Sequence, residues 1–237
     1  PEFQSALDLA VSLAEEAVAK GAEFITTPEY CGGLKTQGSA FTPPSAPEES
    51  HPVLNGLRAF AKNKKKFFLI GSIAINGPDN KILNRSFVID DNGNIISRYD
   101  KIHLFDVNLS ERRSYRESAS VHGGNKAVIC QTPFAMMGQT ICYDLRFPNL
   151  YRELSQSGAE ILFVPAAFTQ KTGQAHWHVL NRARAIENGA FVVAPCAIGK
   201  VDGGGASYGH SLIINPWGEV LADGGDQVGV INAVINL

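Results

Sequence analysis

The sequence predicts an α/β fold with four layers, αββα, in which two sheets pack face to face and helices cover both outer sides. One observation is a unit of helix, glycine, apolar strand and proline that occurs three times and ends at Pro28, Pro165 and Pro195. Fully apolar strands that alternate with helices are typical of sheets enclosed by helical layers. A second observation is two hairpin-like stretches between these units, which supply the strands of two sheets.

The three helical units have the same residues at the ends of their elements. In the first, apolar residues recur at helical spacing over 3–20, Gly21 follows as a helix cap, and residues 24–27 form a short apolar strand. The other two units place Gly158 and Gly189 before the apolar runs 161–164 and 191–194. Each unit therefore predicts a helix that ends at a glycine and a strand that ends at a proline.

The two hairpins are marked by their turns. Residues 86–90 and 94–99 flank Asp91-Asn92-Gly93, and residues 211–214 and 219–221 flank Asn215-Pro216-Trp217-Gly218. Runs rich in Gly, Ser, Thr and Pro predict loops over 32–50 and 200–206.

Size and composition favour one domain, residues 1–237, that acts on a small molecule. A chain of 237 residues that is 44% hydrophobic can bury one substantial core. A net charge of −2, from 21 basic and 23 acidic residues, gives no electrostatic footprint for nucleic acid or an anionic membrane. No apolar run approaches the roughly 20 residues of a membrane span, and no signal peptide is apparent. Four scattered cysteines without zinc-ligand spacing predict reduced thiols in the cytoplasm and no metal site.

Three chemically distinct residues each follow a predicted strand. Glu29 follows the first strand, Lys101 follows residues 95–99, and Cys142 ends the run 134–142 before a turn into a helix. Groups at the carboxyl ends of strands gather at one edge of an α/β sheet. The sequence therefore predicts a carboxylate, an ammonium and a thiol around one pocket.

Such a trio has the chemistry of acyl transfer. A cysteine with an ordinary pKa of about 8.5 needs a base or a cation beside it to act as a nucleophile at neutral pH. Glu29 can take the thiol proton, while Lys101 and the backbone N–H of Tyr143 can stabilise the oxyanion of a tetrahedral intermediate. A single donor of that kind lowers the barrier by about 3–4 kcal/mol.

Three motifs surround these residues: Thr-Thr-Pro-Glu29-Tyr, Tyr-Asp-Lys101-Ile-His-Leu-Phe and Gly-Gln-Thr-Ile-Cys142-Tyr-Asp-Leu-Arg-Phe-Pro. They resemble the three catalytic blocks of the nitrilase superfamily of carbon-nitrogen hydrolases, in the same order and spacing. The resemblance continues through residues 172–180, 182–188 and 207–218, so it covers almost the whole chain. These later blocks look most like the Nit-type amidases, which include ω-amidases and deaminated glutathione amidases.

The resemblance implies a nitrilase-type αββα sandwich, a Glu29-Lys101-Cys142 triad, a thioester intermediate and no metal or organic cofactor. A further family carboxylate maps onto Glu117, which would orient Lys101 and the substrate, although Glu111 lies nearby in the sequence. Homodimers or larger homo-oligomers are expected from the family. The family also begins with a strand before its first helix and often continues into a C-terminal tail, so we expect a sequence truncated at both ends.

Other side chains are weaker candidates for the site. Phe168, Thr169 and Thr172 follow a strand stop and are candidate pocket residues. Arg146 can pair with Asp144 or bind a substrate carboxylate, which suits the planar guanidinium.

Cysteines and histidines elsewhere in the chain allow structural interpretations. Cys196 is interpreted as pocket lining or core, Cys31 as a residue near Glu29, and Cys130 as a strand residue. His176 and His178 do not face each other on a helix, which favours structural roles for both. His103 and His210 could support the site through hydrogen bonds.

The sequence therefore predicts a cysteine amidase that cleaves a small linear amide, an ω-amide of a carboxylic acid of the α-ketoglutaramate or deaminated glutathione type. One alternative keeps the triad and changes the substrate to an N-carbamoyl amine or a nitrile. Another is a non-catalytic member of the fold that binds a partner.

Overall fold

The computed structural model describes residues 2–110 and 113–237 and has the predicted four layers. Two helices, α1 (Phe3–Ala19) and α2 (Pro52–Lys64), cover one sheet, while α3 (Pro148–Gln156) and α4 (Gln170–Asn188) cover the other. The two sheets face each other across a shared apolar layer. None of the helices within the described ranges is long and apolar enough to cross a membrane.

The strands of the first sheet are β1 (Phe24–Thr26), β4 (Ser45–Ala46), β5 (Phe67–Asn76), β6 (Ile82–Ile89) and β7 (Ile95–Asp100). Their order is β1-β5-β6-β7, with β4 also pairing with β5. Strands β1, β4, β5 and β7 run in one direction and β6 in the other. The carboxyl ends of β1 and β7 therefore point the same way.

The strands of the second sheet are β10 (Val128–Gln131), β11 (Met136–Gln139), β12 (Ile161–Phe163), β13 (Phe191–Ala194), β16 (Leu212–Ile214) and β17 (Val220–Asp223). They are ordered β10-β11-β12-β13-β16-β17, and the central strands β11, β12 and β13 are parallel. The remaining strands form three small hairpins, β2 (Thr36–Gln37) with β3 (Ala40–Phe41), β8 (Asp106–Ser110) with β9 (Arg113–Arg116), and β14 (Ile198–Lys200) with β15 (Ala206–Tyr208).

Side-chain alternation along the strands builds the layers. On β5, Phe68 and Ile70 pack toward α1 and α2, whereas Leu69 between them faces the other sheet. On β12, Leu162 packs toward α3 and α4, and its neighbours face the first sheet. Burying each such side chain stabilises the fold by roughly 1.5–3 kcal/mol. The residues between the sheets include Leu69, Val88, Met137, Ile161 and Phe163.

The glycines predicted to end the helices adopt the expected left-handed conformation. Gly21, Gly158 and Gly189 all have positive φ angles, of 85°, 100° and 59°. A residue without a Cβ adopts this left-handed conformation without a steric penalty. Each helix therefore stops where the next strand must begin.

Two local predictions needed correction. The run 134–142 is not strand throughout, because β11 covers only Met136–Gln139 and a five-residue 3₁₀ helix, Cys142–Arg146, begins at the cysteine. The backbone N–H groups of Thr140 and Cys142 still donate to Phe163 and Pro165, so this exit segment stays beside the adjoining strand. The predicted loop over 32–50 contains the β2-β3 hairpin, β4 and a 3₁₀ turn, Glu48–Ser50.

Candidate active site

Four polar side chains meet in the interior, where polar groups need partners. Glu29 lies just past β1, Lys101 just past β7, Cys142 just past β11, and Glu117 opens a 3₁₀ turn, Glu117–Ala119, after β9. Their exposed fractions are 4%, 2%, 8% and 0% respectively. The structure thus brings together the three residues predicted at strand ends and the predicted additional carboxylate. Glu111, the alternative to Glu117, lies outside the described residues.

Lys101 lies between the two carboxylates. Its Nζ is 2.8 Å from Oε1 of Glu29 and 2.9 Å from Oε2 of Glu117. Burial alone would lower the pKa of Lys101, but the two carboxylates outweigh burial and raise its pKa well above the ordinary value. Lys101 therefore remains charged.

Two residues that the sequence analysis missed complete the carboxylate network. The amide of Asn84 on β6 donates to Oε1 of Glu29 at 2.9 Å and to Oε1 of Glu117 at 3.2 Å. The Tyr30 hydroxyl donates to the same Glu117 oxygen at 3.2 Å. Asn84 is followed by Arg85 and Ser86 in β6, so no pattern in the sequence marks it, whereas Tyr30 is at least adjacent to Glu29.

The second sheet also contributes to Glu29. The backbone N–H of Ala167, past the end of β12, donates to Oε2 of Glu29 at 2.8 Å. Oε1 already accepts from Lys101 and Asn84, so the two oxygens have different partners. These bonds fix the carboxylate between the sheets, with Oε2 on the side of Ala167.

The thiol of Cys142 is protonated, and therefore neutral, at neutral pH. Burial raises its pKa well above the ordinary value, and the Glu29 carboxylate, which is hydrogen-bonded to the thiol, raises it further. Lys101 opposes both effects without cancelling them. A neutral thiol beside a carboxylate can transfer its proton when an electrophile arrives.

The backbone of Cys142 is held in an unusual conformation. Its φ is +49°, a left-handed value that non-glycine residues rarely adopt and that concentrates at functional sites. Its N–H donates to the carbonyl of Pro165 at 2.9 Å, which anchors the turn to the end of β12.

Asp144 holds the turn that follows Cys142. Its carboxylate, fully buried, accepts from the Tyr99 hydroxyl at 2.6 Å and from the Ile141 N–H at 2.8 Å. The ring and the backbone N–H of His103 both contact its other oxygen, at 2.7 and 3.0 Å. The expectation that His103 supports the site thus agrees with its position.

Arg146 does not make the predicted pair with Asp144, because those other donors occupy that carboxylate. Its guanidinium lies 5.9 Å from the ring centre of Tyr143 and 5.4 Å from that of Phe168. One of its nitrogens is 3.2 Å from Nδ1 of His176. It pairs with no carboxylate in the described part of the chain.

A pocket opens above the thiol, with an empty volume of about 540 Å³ that includes its open mouth. Of the predicted pocket residues, Tyr143, Phe168, Thr169 and Thr172 line it. Arg146 is adjacent, through its contacts with two of these rings. The remaining walls are mostly apolar and include Leu34, Phe41, Phe105, Tyr115 and Val201.

The other cysteines lie away from the pocket that holds Cys142. Cys196 belongs to the core beneath α4, and burial raises the pKa of its thiol to about 12. Cys31 packs against the core of the first sheet, where burial raises its pKa to about 11. Cys130 is a strand residue of β10, as predicted. None of these three cysteines lines the pocket above Cys142.

Comparison with known proteins gives a consistent family. The family model for carbon-nitrogen hydrolases matches residues 1–237. A deaminated glutathione amidase from Synechocystis is 38% identical over 244 residues, which cover 100% of this chain and 88% of that protein. The omega-amidase NIT2 of Xenopus tropicalis is 33% identical over 231 residues, covering 98% of this chain and 83% of that protein.

Solved structures agree with this assignment. The NitFhit protein of C. elegans superimposes with a TM-score of 0.86 at 29% identity, over 96% of this chain and 56% of that longer chain. Nit3 of Saccharomyces cerevisiae, a member of branch 10 of the nitrilase superfamily, gives 0.82 at 27% identity, over 95% of this chain and 82% of that one. The predicted nitrilase-type fold is confirmed, and the chain belongs to the carbon-nitrogen hydrolase family of the nitrilase superfamily.

Proposed function

We propose that this protein is a cysteine amidase that hydrolyses a small linear ω-amide of a carboxylic acid to the acid and ammonia. The observation that carries the proposal is the buried Glu29-Lys101-Glu117 cluster with the neutral thiol of Cys142 beside it. The relatives named deaminated glutathione amidase and omega-amidase support an amide rather than an N-carbamoyl amine or a nitrile as substrate.

The first half-reaction forms a thioester. As Sγ of Cys142 attacks the amide carbon, its proton passes to Glu29, and the carbonyl oxygen becomes an oxyanion. Nζ of Lys101 and the N–H of Tyr143 stabilise that oxyanion. The C–N bond then breaks while Glu29 returns the proton to the departing nitrogen, which leaves as ammonia.

The second half-reaction regenerates the enzyme. Glu29 takes a proton from water as the water oxygen attacks the thioester carbon, and the same donors stabilise the second oxyanion. The C–S bond breaks, the acid departs, and the thiolate recovers its proton from Glu29. Glu117 remains an ionic partner of Lys101 throughout and positions its Nζ.

The proton-transfer role of Glu29 is tested by Glu29→Gln, which keeps the size of the side chain but removes the base. We expect kcat/KM to fall by about 10²–10⁴-fold, the usual contribution of general acid–base catalysis. Ammonia release from a panel of ω-amides, including α-ketoglutaramate and deaminated glutathione, gives the measurement. The exposed Glu23→Gln variant is the matched control and should retain full activity. Equal rates in both variants would contradict the proposal, and carbon dioxide release would indicate an N-carbamoyl substrate.

Arg146 is proposed to bind the free carboxylate of the substrate, with Phe168, Thr169 and Thr172 shaping the pocket around it. Its support is a half-buried guanidinium beside the pocket without a carboxylate partner in the described chain. Arg146→Met should raise KM for an ω-amide by about 10–100-fold, since hydrogen bonds to charged groups contribute about 1.5–3 kcal/mol. A neutral amide such as propionamide should show little change. Arg152→Met, on the exposed face of α3, is the control, and an equal loss with both substrates would exclude this role.

We also propose a homodimer through the outer face of α4 and the adjoining turn between β16 and β17. Val179, Ile186 and Trp217 are 66%, 55% and 85% exposed there, an apolar patch of the kind that marks protein interfaces. Sedimentation equilibrium should give a dimer mass, and the double variant Ile186→Glu/Trp217→Glu should shift it to the monomer. Leu9→Glu, an equally exposed apolar position on α1, should leave the dimer intact.

A cytoplasmic location is proposed because Cys31, Cys130, Cys142 and Cys196 are all free thiols. Thiols persist in reducing compartments. Cell fractionation tests the location.

A further inference from the structure

A second cluster of chemically active side chains lies outside the pocket that holds Cys142. His178 on α4, His210 in the segment between β15 and β16, and Asp223 at the end of β17 converge at the edge of the second sheet. None of the three lines the pocket above Cys142. His178 thus meets a histidine from another element, His210, at the carboxylate that they share.

The geometry is close to that of a metal site. Nε2 of His178 is 2.9 Å from Oδ2 of Asp223, and Nδ1 of His210 is 2.9 Å from Oδ1 of the same carboxylate. One ligand atom from each residue falls within 4.8 Å of the other two. Tetrahedral zinc with bonds of about 2.0–2.2 Å holds its ligand atoms roughly 3.3 Å apart. The two imidazole–carboxylate pairs are closer than this, so they would separate slightly as the three side chains turn toward one ion.

Hydrogen bonds on both sides of His210 hold its backbone in place. Its φ is +54°, an unusual value for a residue other than glycine. Its N–H donates to Gly225 O at 2.7 Å, and its carbonyl accepts from the indole N–H of Trp177 at 2.7 Å. The ring of Tyr208 stacks on the imidazole, with centroids 4.6 Å apart.

The carboxylate is oriented as well. The N–H of Gly225 donates to Oδ1 of Asp223 at 2.8 Å, in addition to the two imidazoles. Side chains of the cluster remain partly exposed, His178 at 33%, His210 at 27% and Asp223 at 34%. An ion bound there would have access to water as a fourth ligand, a common arrangement for zinc with three protein ligands.

We propose that His178, His210 and Asp223 form a binding site for a divalent transition-metal ion of the zinc class. Two imidazoles and one carboxylate suit zinc, cobalt and nickel and disfavour calcium and magnesium, which select all-oxygen sites. The ion would take the place of hydrogen bonds between the imidazoles and Asp223, and any proton on a ligating nitrogen would pass to the other ring nitrogen or to water. It links α4 to the edge strand β17 and to the segment between β15 and β16. The site is independent of the proposed amidase chemistry.

Calorimetric titration of the full chain with zinc, after treatment with a chelator, tests the proposal. One ion should bind per chain. The variants His178→Gln, His210→Asn and Asp223→Asn should each weaken zinc binding at least about 100-fold. That is the upper end of the loss in metal affinity caused by mutating residues that only support the ligands, so loss of a ligand itself should reach it. Asparagine at 210 tolerates the positive φ, so that variant should keep its fold, as circular dichroism will verify. His122→Gln, at an exposed histidine outside the cluster, is the matched control.

Cobalt identifies the ligands directly. Bound cobalt should give the visible absorption of a tetrahedral site without the thiolate charge-transfer band that a cysteine ligand produces, and Cys142→Ala should bind it equally well. A thiolate band, no binding of either ion, or equal affinity in the three cluster variants and the wild type would overturn the proposal. In those cases the cluster is a hydrogen-bonded group only. None of these outcomes depends on amide hydrolysis.

Discussion

Replacement of Cys142 with alanine is expected to lower kcat/KM for an ω-amide by at least about 10⁴-fold, because removal of a covalent nucleophile eliminates the thioester route. The other catalytic groups remain, but Lys101 and the Tyr143 N–H can only stabilise an oxyanion that some nucleophile has formed. Steady ammonia release is the measurement, and chelator should not change the wild-type rate.

The control for this variant is Cys130→Ala. Cys130 is also buried, at 6% exposure, but lies between the sheets on β10. Its loss should leave activity within about twofold while costing some stability through the cavity created. Full activity in Cys142→Ala would contradict the amidase mechanism and favour a non-catalytic, partner-binding role.

Replacement of Lys101 with methionine is expected to have the largest effect on stability. The variant leaves Glu29 and Glu117 buried without a cation, with neutral hydrogen-bond donors such as Asn84 and the Ala167 N–H as partners. An uncompensated buried charge costs about 3–5 kcal/mol. Activity should be lost as well, since the oxyanion loses its charged donor. Urea unfolding at pH 7 measures the free energy of unfolding.

A second substitution separates the effect of charge from the effect of packing. The double variant Lys101→Met/Glu117→Gln should recover much of the loss at pH 7. Equal instability of the single and double variants would show that lost packing, rather than charge, dominates.

The four-layer arrangement could be predicted from the sequence alone because the features that indicate it lie in short, contiguous stretches of the chain. Apolar strands, helix-terminating glycines and turn residues reside in contiguous stretches, so the αββα arrangement and the strand-end positions of Glu29, Lys101 and Cys142 could be predicted. The three motifs gave the same residues by resemblance. Family membership was predicted on the same basis.

The partners of those residues could not be predicted because they come from distant parts of the chain. Asn84 reaches Glu29 across 55 positions, and the Ala167 N–H reaches it across 138. No local pattern distinguishes an asparagine that binds two carboxylates from any other strand residue. The predicted strand was too long at its carboxyl end because Thr140 and Ile141 are residues that favour strands. The hydrogen-bonded pairing of β11 with β12 in fact ends at Gln139 and Phe163. The His178-His210-Asp223 cluster was missed for the same reason, since it joins three elements.

The hydrogen bond from Ala167 to Glu29 has a consequence for how the two halves of the molecule work together. Glu29 and Lys101 belong to one sheet, whereas Cys142 and Ala167 belong to the other. The distance over which the thiol proton travels is therefore set by the thickness of the apolar layer between the sheets. Side chains of that layer, such as Leu69 and Met137, therefore help to set the separation between the thiol and the carboxylate although they do not line the pocket.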